Sequence, residues 1–328
     1  MEGKDPRAYY LAKYQNLEDL PGVGPATASE LRANGYRTVE SIAIASLREM
    51  VQSGIGEDTA QKIITAARKT ISSQFETASE LAVRRSLLKK LTTGASNLDR
   101  LFNGGLETQS ITEFYAEFGG GKSQICQQLC VTVQLPEEKG GLDGGALYID
   151  TEQVFRPERV SQMAEALGLN PSDVLKRIVF AEAYSSDHQM ILLDRADEII
   201  KEHNIRLIIV DSLTGQFRAE YLGRENLAPR QQKLNQHLHK LLKLTRAFDA
   251  VAVVTNQVSS TPDTYAPGSQ TPQAVGGNIV GHASHTRVYL KKGRNNLRIA
   301  TITASPFLPE GGTPIRITDR GIESDEEV

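Results

Sequence analysis

The 328-residue sequence predicts an α/β fold: a central, mostly parallel sheet flanked by helices, preceded by a small all-α module. Three observations predict it. From about Leu91 onward, short apolar runs alternate with helix-length stretches. A glycine loop, Ala116-Glu-Phe-Gly-Gly-Gly-Lys122-Ser123, falls between one such run and a helical pattern. Residues 17–70 read as helices separated by Pro-Gly and Gly-x-Gly turns. The expected division is a module over 1–71, a linker over 72–90 and the larger domain over 91–328.

Taken in order, Leu17–Pro25 leads into a helix from Ala26 that an Asn34-Gly35 cap ends. The turn Pro21-Gly-Val-Gly-Pro25 resembles a helix-hairpin-helix, whose exposed N–H groups can approach a DNA phosphate. Ser53-Gly-Ile-Gly-Glu-Asp58, ahead of helix-prone Thr59–Lys69, is a degenerate second copy. Such hairpins also serve simply as packing units. Ser72–Lys90 turns polar and charged, as a linker does. Core strands are expected at Ser110–Tyr115, Ala146–Asp150, Ile178–Ala181, Leu207–Val210 and Val251–Thr255, apolar enough to be covered on both faces. Thr286–Lys291 and Arg298–Thr303 flank a turn at Gly293–Asn296, and with Ile315–Thr318 they predict an antiparallel edge.

The glycine loop has the context of a phosphate cradle. Strand, glycine turn and helix start point backbone N–H groups and a helix dipole at an anion. Glu117, Phe118, Gly119, Gly120, Gly121, Lys122, Ser123 and Gln124 would surround the phosphates, Lys122 reaching the terminal ones and the Ser123 hydroxyl holding Mg²⁺. Ala116 stands where G-x-x-x-x-G-K-[ST] has its first glycine. The chain is therefore expected to bind a nucleoside triphosphate.

Ligands in open α/β sheets gather beyond the carboxyl ends of the strands, so those ends are candidate site residues. Asp150-Thr151-Glu152, Asp211 and Asn256-Gln257 all stand there. Asp211 suits an Mg²⁺ site through metal-bound water. Glu152 suits orienting and polarising an attacking water, with a salt bridge to Arg156 as its alternative. Gln257 suits sensing a γ-phosphate, against an ordinary amide-to-backbone bond. Arg218, Arg224 and Arg230 fall in a glycine-bearing stretch without matching acids, which suits nucleic-acid phosphates or a solvated surface. The segment 258–276 is rich in Ser, Thr, Pro and Gly.

Composition excludes little else. Hydrophobic residues make up 39% and charged residues 23%, no apolar run approaches a membrane span, and the polar start lacks a signal-peptide core. The net charge of −3 rules out a uniformly basic coat, yet positive charge gathers at Arg84-Arg85 and Lys291–Arg294. Cys126 and Cys130, one helical turn apart, read as packing thiols in a reducing, cytoplasmic setting. Glu323–Val328 reads as a solvated acidic tail.

Together these residues resemble the RadA branch of the RecA-type strand-exchange recombinases over nearly the whole chain. The telling stretches are Thr112-Glu-Phe-Tyr with Gly121-Lys-Ser-Gln124, Phe155-Arg-Pro-Glu-Arg159, Phe217-Arg-Ala-Glu-Tyr, Arg230–Leu238 and Thr255-Asn-Gln-Val258. The resemblance implies a RecA-like core that hydrolyses ATP with Mg²⁺, binds single- and double-stranded DNA, and forms helical filaments on single strands, associated with the nucleoid. It makes Phe75-Glu-Thr-Ala78 similar to the polymerisation motif, with Phe75 and Ala78 filling pockets on the next protomer. It makes Arg159 an adenine-stacking residue and Pro309 a cap reaching the neighbour's nucleotide. It also assigns Arg218, Arg224 and Arg230 to a first DNA-binding loop and 258–276 to a second. Departures at Ala116, Ser259–Thr261 and Ala304 leave a second reading, an ATP-switched paralogue that binds DNA without exchanging strands itself.

Overall fold

The computed structural model describes residues 6–52, 54–70, 77–258 and 272–325. The amino-terminal module packs helices Pro6–Lys13, Pro25–Ala33, Val39–Ala43, Leu47–Gln52 and Glu57–Ala67 around its own core. Leu17, Leu31, Ile42, Met50 and Ile63 fill that core. Pro25 opens the second helix at its first position, where a missing N–H costs nothing. Gly35 follows the same helix at φ +85°, completing the Asn-Gly stop. The module sits on the larger domain through Arg37–Glu198 at 2.8 Å and Lys201 Nζ donating to Gln15 O at 2.8 Å.

The expected linker holds more structure than its composition suggested. Thr77 caps a helix, Ala78–Ser86, by accepting from Glu80 N at 3.2 Å, while Glu80 accepts from Thr77 N at 2.7 Å. That reciprocal pair nucleates a helix of which no residue is buried.

Strands β1 (Lys90–Leu91) and β2 (Leu106–Glu107) form a short antiparallel ribbon. The main sheet contains β3 (Ser110–Ala116), β4 (Gly145–Asp150), β5 (Ile178–Glu182), β6 (Ile205–Asp211), β7 (Val251–Gln257), β8 (Thr286–Lys292), β9 (Leu297–Ala304), β10 (Gly311–Thr318) and β11 (Gly321–Ser324). Their order is β11-β10-β9-β8-β3-β7-β6-β4-β5. Pairings from β8 through β5 are parallel, and those among β8, β9, β10 and β11 are antiparallel. Side chains alternate between faces along each strand. Phe114 and Val253 pack with Ile125 and Leu129 of helix Lys122–Thr132, whereas Ile111 and Val254 pack with Leu238 and Leu241 of helix Leu227–Phe248. Cys126 and Cys130 are free, buried thiols of the first of these cores.

Two expectations are corrected here. Among the described residues β5 is an edge strand, bonded only to β4, and Phe180 is 45% exposed, so this strand is not covered on both faces. The acidic end is not simply solvated. Glu323 and Ser324 belong to β11, and buried Asp325 accepts from Arg316 NH2 at 2.7 Å, because a strand pairing with β10 gives those carboxylates cationic partners. No helix of the described residues is long and apolar enough to cross a membrane.

Candidate functional site

Parallel pairing brings the strand ends to one edge. Ala116 lies opposite Gln257 across β3 and β7, and Asp150 lies opposite Asp211 across β4 and β6. β3 stops at Ala116 and the next helix starts at Lys122, so residues 117–121 turn over the sheet edge. Gly119 and Gly121 take φ of +74° and +101° there, conformations open to glycine. Gly120 is required for another reason: a Cβ on it would stand 2.3 Å from the Ala116 Cβ. Alanine is therefore accommodated at 116 because residue 120 has no side chain.

Lys122 folds back over the loop, its Nζ 3.4 Å from Ala116 O and 3.3 Å from Glu117 O. Burial holds its ammonium below the usual lysine range, opposed by the charges of Asp211 and Glu152. Asp211 is 1% exposed at the end of β6. Tyr148 Oη donates to its Oδ2 at 2.6 Å and Thr255 Oγ1 donates to its Oδ1. Burial pushes the Asp211 carboxyl up, and hydrogen bonds from Thr255, Tyr148 and Ser123 pull it back towards the carboxylate form. The Ser123 hydroxyl is thus among the groups that face Asp211.

Glu152 is exposed and unpaired with Arg156, which spends its guanidinium on Gln153 O and Phe155 O at 3.0 and 2.8 Å. Ser212 Oγ and Gln257 Nε2 both donate to Glu152 Oε1, at 2.7 and 3.2 Å. Asp150, by contrast, is a structural cap: it accepts from the backbone N–H groups of Glu152, Val154 and Phe155 at 2.8–3.0 Å and so sets the turn that carries Glu152. Gln257 makes side-chain contacts, not the ordinary amide-to-backbone bond, and its Oε1 accepts from Arg218 NH1 at 3.1 Å.

The arginines are not all in a loop. Arg218 lies in helix Gly215–Glu220 and Arg230 in helix Leu227–Phe248, while Arg224 is exposed in the turn between. The apolar side chains of Phe217 and Leu234, buried under these segments, favour helix over irregular chain. Arg159 Nε donates to Gln124 Oε1 at 2.8 Å, and its other nitrogens bond Thr318 O and Asp319 O at 2.6 and 2.7 Å. It is thereby tied to the helix that follows the phosphate loop. Pro309 is exposed beyond β9, and Ala304 pairs with Arg287 at the start of β8. β8 runs parallel to β3, so Pro309 stands at the edge of the sheet opposite its own phosphate loop. Ala78 is exposed at its helix start; Phe75 and most of the 258–276 segment lie outside the described residues.

Several contributors went unrecognised in the sequence. Arg298 donates to Gly120 O and Gly119 O at 3.2 and 3.0 Å, bracing the glycine turn from β9. Ser212, Tyr148 and Thr255 support the carboxylates, and Glu113 is wholly buried in mid-β3. Only Glu113 left a sequence signal, a carboxylate inside an apolar strand.

A loop with no room for a side chain at Gly120, an ammonium held by two loop carbonyls, and a serine facing a buried aspartate fit a triphosphate with a divalent cation. Fold and site define a P-loop nucleotide-binding protein with a RecA-like core. The chain belongs to the Rad51 family, whose profile matches residues 84–325, and residues 14–69 match a SAM-like helix-hairpin-helix tandem. It is 50% identical over 325 residues to the DNA repair and recombination protein RadA of Aeropyrum pernix, covering 99% of this chain and 100% of that one. The protein of the same name from Ignicoccus hospitalis is 50% identical over 317 residues, covering 95% and 96%. Rad51-family proteins are in general DNA-dependent ATPases that use ATP with Mg²⁺.

Proposed function

We propose that this chain is a DNA-dependent ATPase and strand-exchange protein of homologous recombination, working at the nucleoid as ATP-bound helical filaments on single-stranded DNA. One observation carries the reading. Lys122, Glu152, Asp211 and Gln257 end or follow four separate strands at one sheet edge, and Gln257 bridges Glu152 to Arg218, the first of the arginines proposed for DNA. Near full-length likeness to two proteins named for DNA repair and recombination supports it.

Each side chain has a task. Lys122 and the backbone of 117–121 bind phosphates; Arg159 of the same subunit and Pro309 of a neighbouring copy border the base. Ser123, and Asp211 through metal-bound water, would hold Mg²⁺, which when bound would offset phosphate charge. Both protein bonds to Glu152 fall on Oε1, so Oε2 is the oxygen left to accept a proton from an attacking water. DNA phosphate near Arg218 competes for a guanidinium that otherwise holds Gln257, which gives DNA a route to Glu152. The steric match of Ala116 to Gly120 removes one ground for a non-exchanging paralogue.

Purified protein alone, with ATP, Mg²⁺, single-stranded DNA and a homologous duplex, should exchange strands and turn over ATP faster when DNA is present. Glu152→Gln should still bind nucleotide while single-turnover hydrolysis falls by about 10²–10⁴-fold, the range of general-base contributions. DNA-stimulated turnover without exchange would favour the paralogue; undiminished hydrolysis in the variant would remove Glu152 from the chemistry.

A further inference from the structure

The phosphate loop is held from behind by a cation that has no acid of its own. Arg298 lies in β9 and is 7% exposed. Its Nε donates to Gly120 O at 3.2 Å, its NH2 to Gly119 O at 3.0 Å and its NH1 to Leu297 O at 2.8 Å. Among the described residues its hydrogen-bond partners are carbonyls alone. A buried charge without a counter-ion is costly unless an anion completes it, and the anion that the proposed function brings to this loop is a triphosphate.

The loop carbonyls are divided between two cations. Lys122 Nζ lies 3.4 Å from Ala116 O and 3.3 Å from Glu117 O, whereas Arg298 takes Gly119 O and Gly120 O. In the proposed function Lys122 turns to the phosphates and gives up its carbonyls. Arg298 reaches the loop from another strand and has no such second duty, so its grip persists. That grip sets a direction. Peptides 119–120 and 120–121 are trans, so each C=O and the N–H that follows it point opposite ways. Holding Gly120 O towards β9 therefore aims Gly121 N–H away from β9. Gly120 N–H is already taken by Glu117 O at 3.1 Å, but Gly121 N–H has no acceptor among the described residues. Gly121 is also backed by β10, where Ile317 Cδ1 would stand 2.8 Å from a Cβ on it.

We infer that Arg298 is a positioning residue for nucleotide binding. It fixes the Gly119–Gly121 backbone so that a free N–H faces the phosphates, and it lends the loop a positive charge that no protein acid cancels. A lysine is a poor replacement, because one ammonium lacks the planar fork that meets two carbonyls. The inference rests on the proposed function for its ligand, ATP.

The test compares wild type, Arg298→Lys and Arg298→Met. Each is measured by thermal melting, by titration with a slowly hydrolysed ATP analogue well below the melting temperature, and by steady-state ATP hydrolysis with single-stranded DNA. Analogue affinity should fall roughly 10- to 100-fold in Arg298→Met, the worth of a charge-assisted hydrogen bond, and by less in Arg298→Lys. KM should rise while kcat stays within about twofold, because binding weakens equally for substrate and transition state. A role in the fold alone would lower the melting temperature and leave affinity and KM at wild type, and that outcome overturns the inference. A fall in kcat at unchanged KM overturns it too. So does full rescue by lysine, since charge without the fork would then suffice. Should Arg298→Met fail to fold, Arg298→Lys decides by the same criteria. Wild type that does not bind the analogue sinks the proposed function and this inference together, whereas wild type and variants that bind it equally well sink only the inference.

Discussion

At the scale of single residues, burial decides which groups change charge. His237 is buried in helix Leu227–Phe248, against Gln189 Nε2 at 3.2 Å and the ring of Phe217. Desolvation lowers its pKa to about 4, so the folded chain keeps the ring neutral where an unfolded chain, titrating near 6.5, is already protonated. The folded value lies below the unfolded one; the unfolded state therefore binds more protons through this interval, and stability falls as pH falls. The contribution is complete above about pH 6.5 and is lost towards pH 4, about 2 kcal/mol of it by pH 5. His237→Gln should start less stable at neutral pH yet lose correspondingly less between pH 7.5 and pH 5 in urea unfolding. Equal slopes for variant and wild type would place that pH dependence elsewhere. The same residue packs against Phe217, in the helix that carries Arg218, so acidification acts beneath a segment proposed for DNA.

At the scale of elements, the phosphate loop is a steric fit between two small residues. Gly120→Ala places a methyl 2.3 Å from the Ala116 Cβ and 3.1 Å from Glu117 O. Such overpacking typically costs about 1–3 kcal/mol, which as lost nucleotide affinity is roughly 5- to 150-fold. Ala116→Gly alone should leave affinity nearly unchanged, and the double variant should regain part of the loss, because only the Glu117 carbonyl still crowds the new methyl. Isothermal titration with an ATP analogue measures all three; a double variant no better than Gly120→Ala would reject the pairing. This loop and the strand ends were legible in sequence because they obey local rules: glycine spacing, a short apolar run, a polar residue at its end. What supports them was not. Arg298 reaches the loop carbonyls from β9, and Ser212 reaches Glu152 from β6, through sheet order that no local pattern states. The exposure of β5 was misjudged for the same reason, since Ile178–Ala181 is as apolar as a central strand and only topology makes it an edge. The arginines of 218–230 were placed in a loop because their charge and glycine dominate that stretch, while the buried residues that mark its helices, Phe217 and Leu234, lie just outside it.

At the scale of the whole molecule, the proposed filament would join two different surfaces of the chain. Pro309 stands at the sheet edge opposite the phosphate loop of its own subunit, so any contact with a nucleotide comes from a neighbour's site. Ala78 is exposed at the start of its helix, and Phe180 and Tyr184 are exposed, at 45% and 70%, on and just beyond β5. Among the described residues β5 has no strand partner on one side, and an open edge with apolar side chains is a template for an added strand. In the proposed assembly donor and receiver are different surfaces of the same chain, and a contact of that kind repeats into an open filament unless the rotation closes a ring. If β5 receives the Phe75–Ala78 segment of the next copy, Phe180→Glu should place a charge in the pocket without touching the phosphate loop. Negative-stain microscopy with ATP and single-stranded DNA should then show wild-type filaments and dispersed Phe180→Glu protein. Melting temperature of the variant should stay near wild type, because the side chain is half exposed in the single subunit, and ATP-analogue affinity should fall only by what the neighbour's Pro309 contributes. Filaments of normal length from the variant would move the receiving surface away from β5. Filaments lost together with a lowered melting temperature would show that β5 supports the fold of the subunit itself. Dispersed protein that still binds nucleotide would show that each chain binds ATP alone but assembles only through this edge.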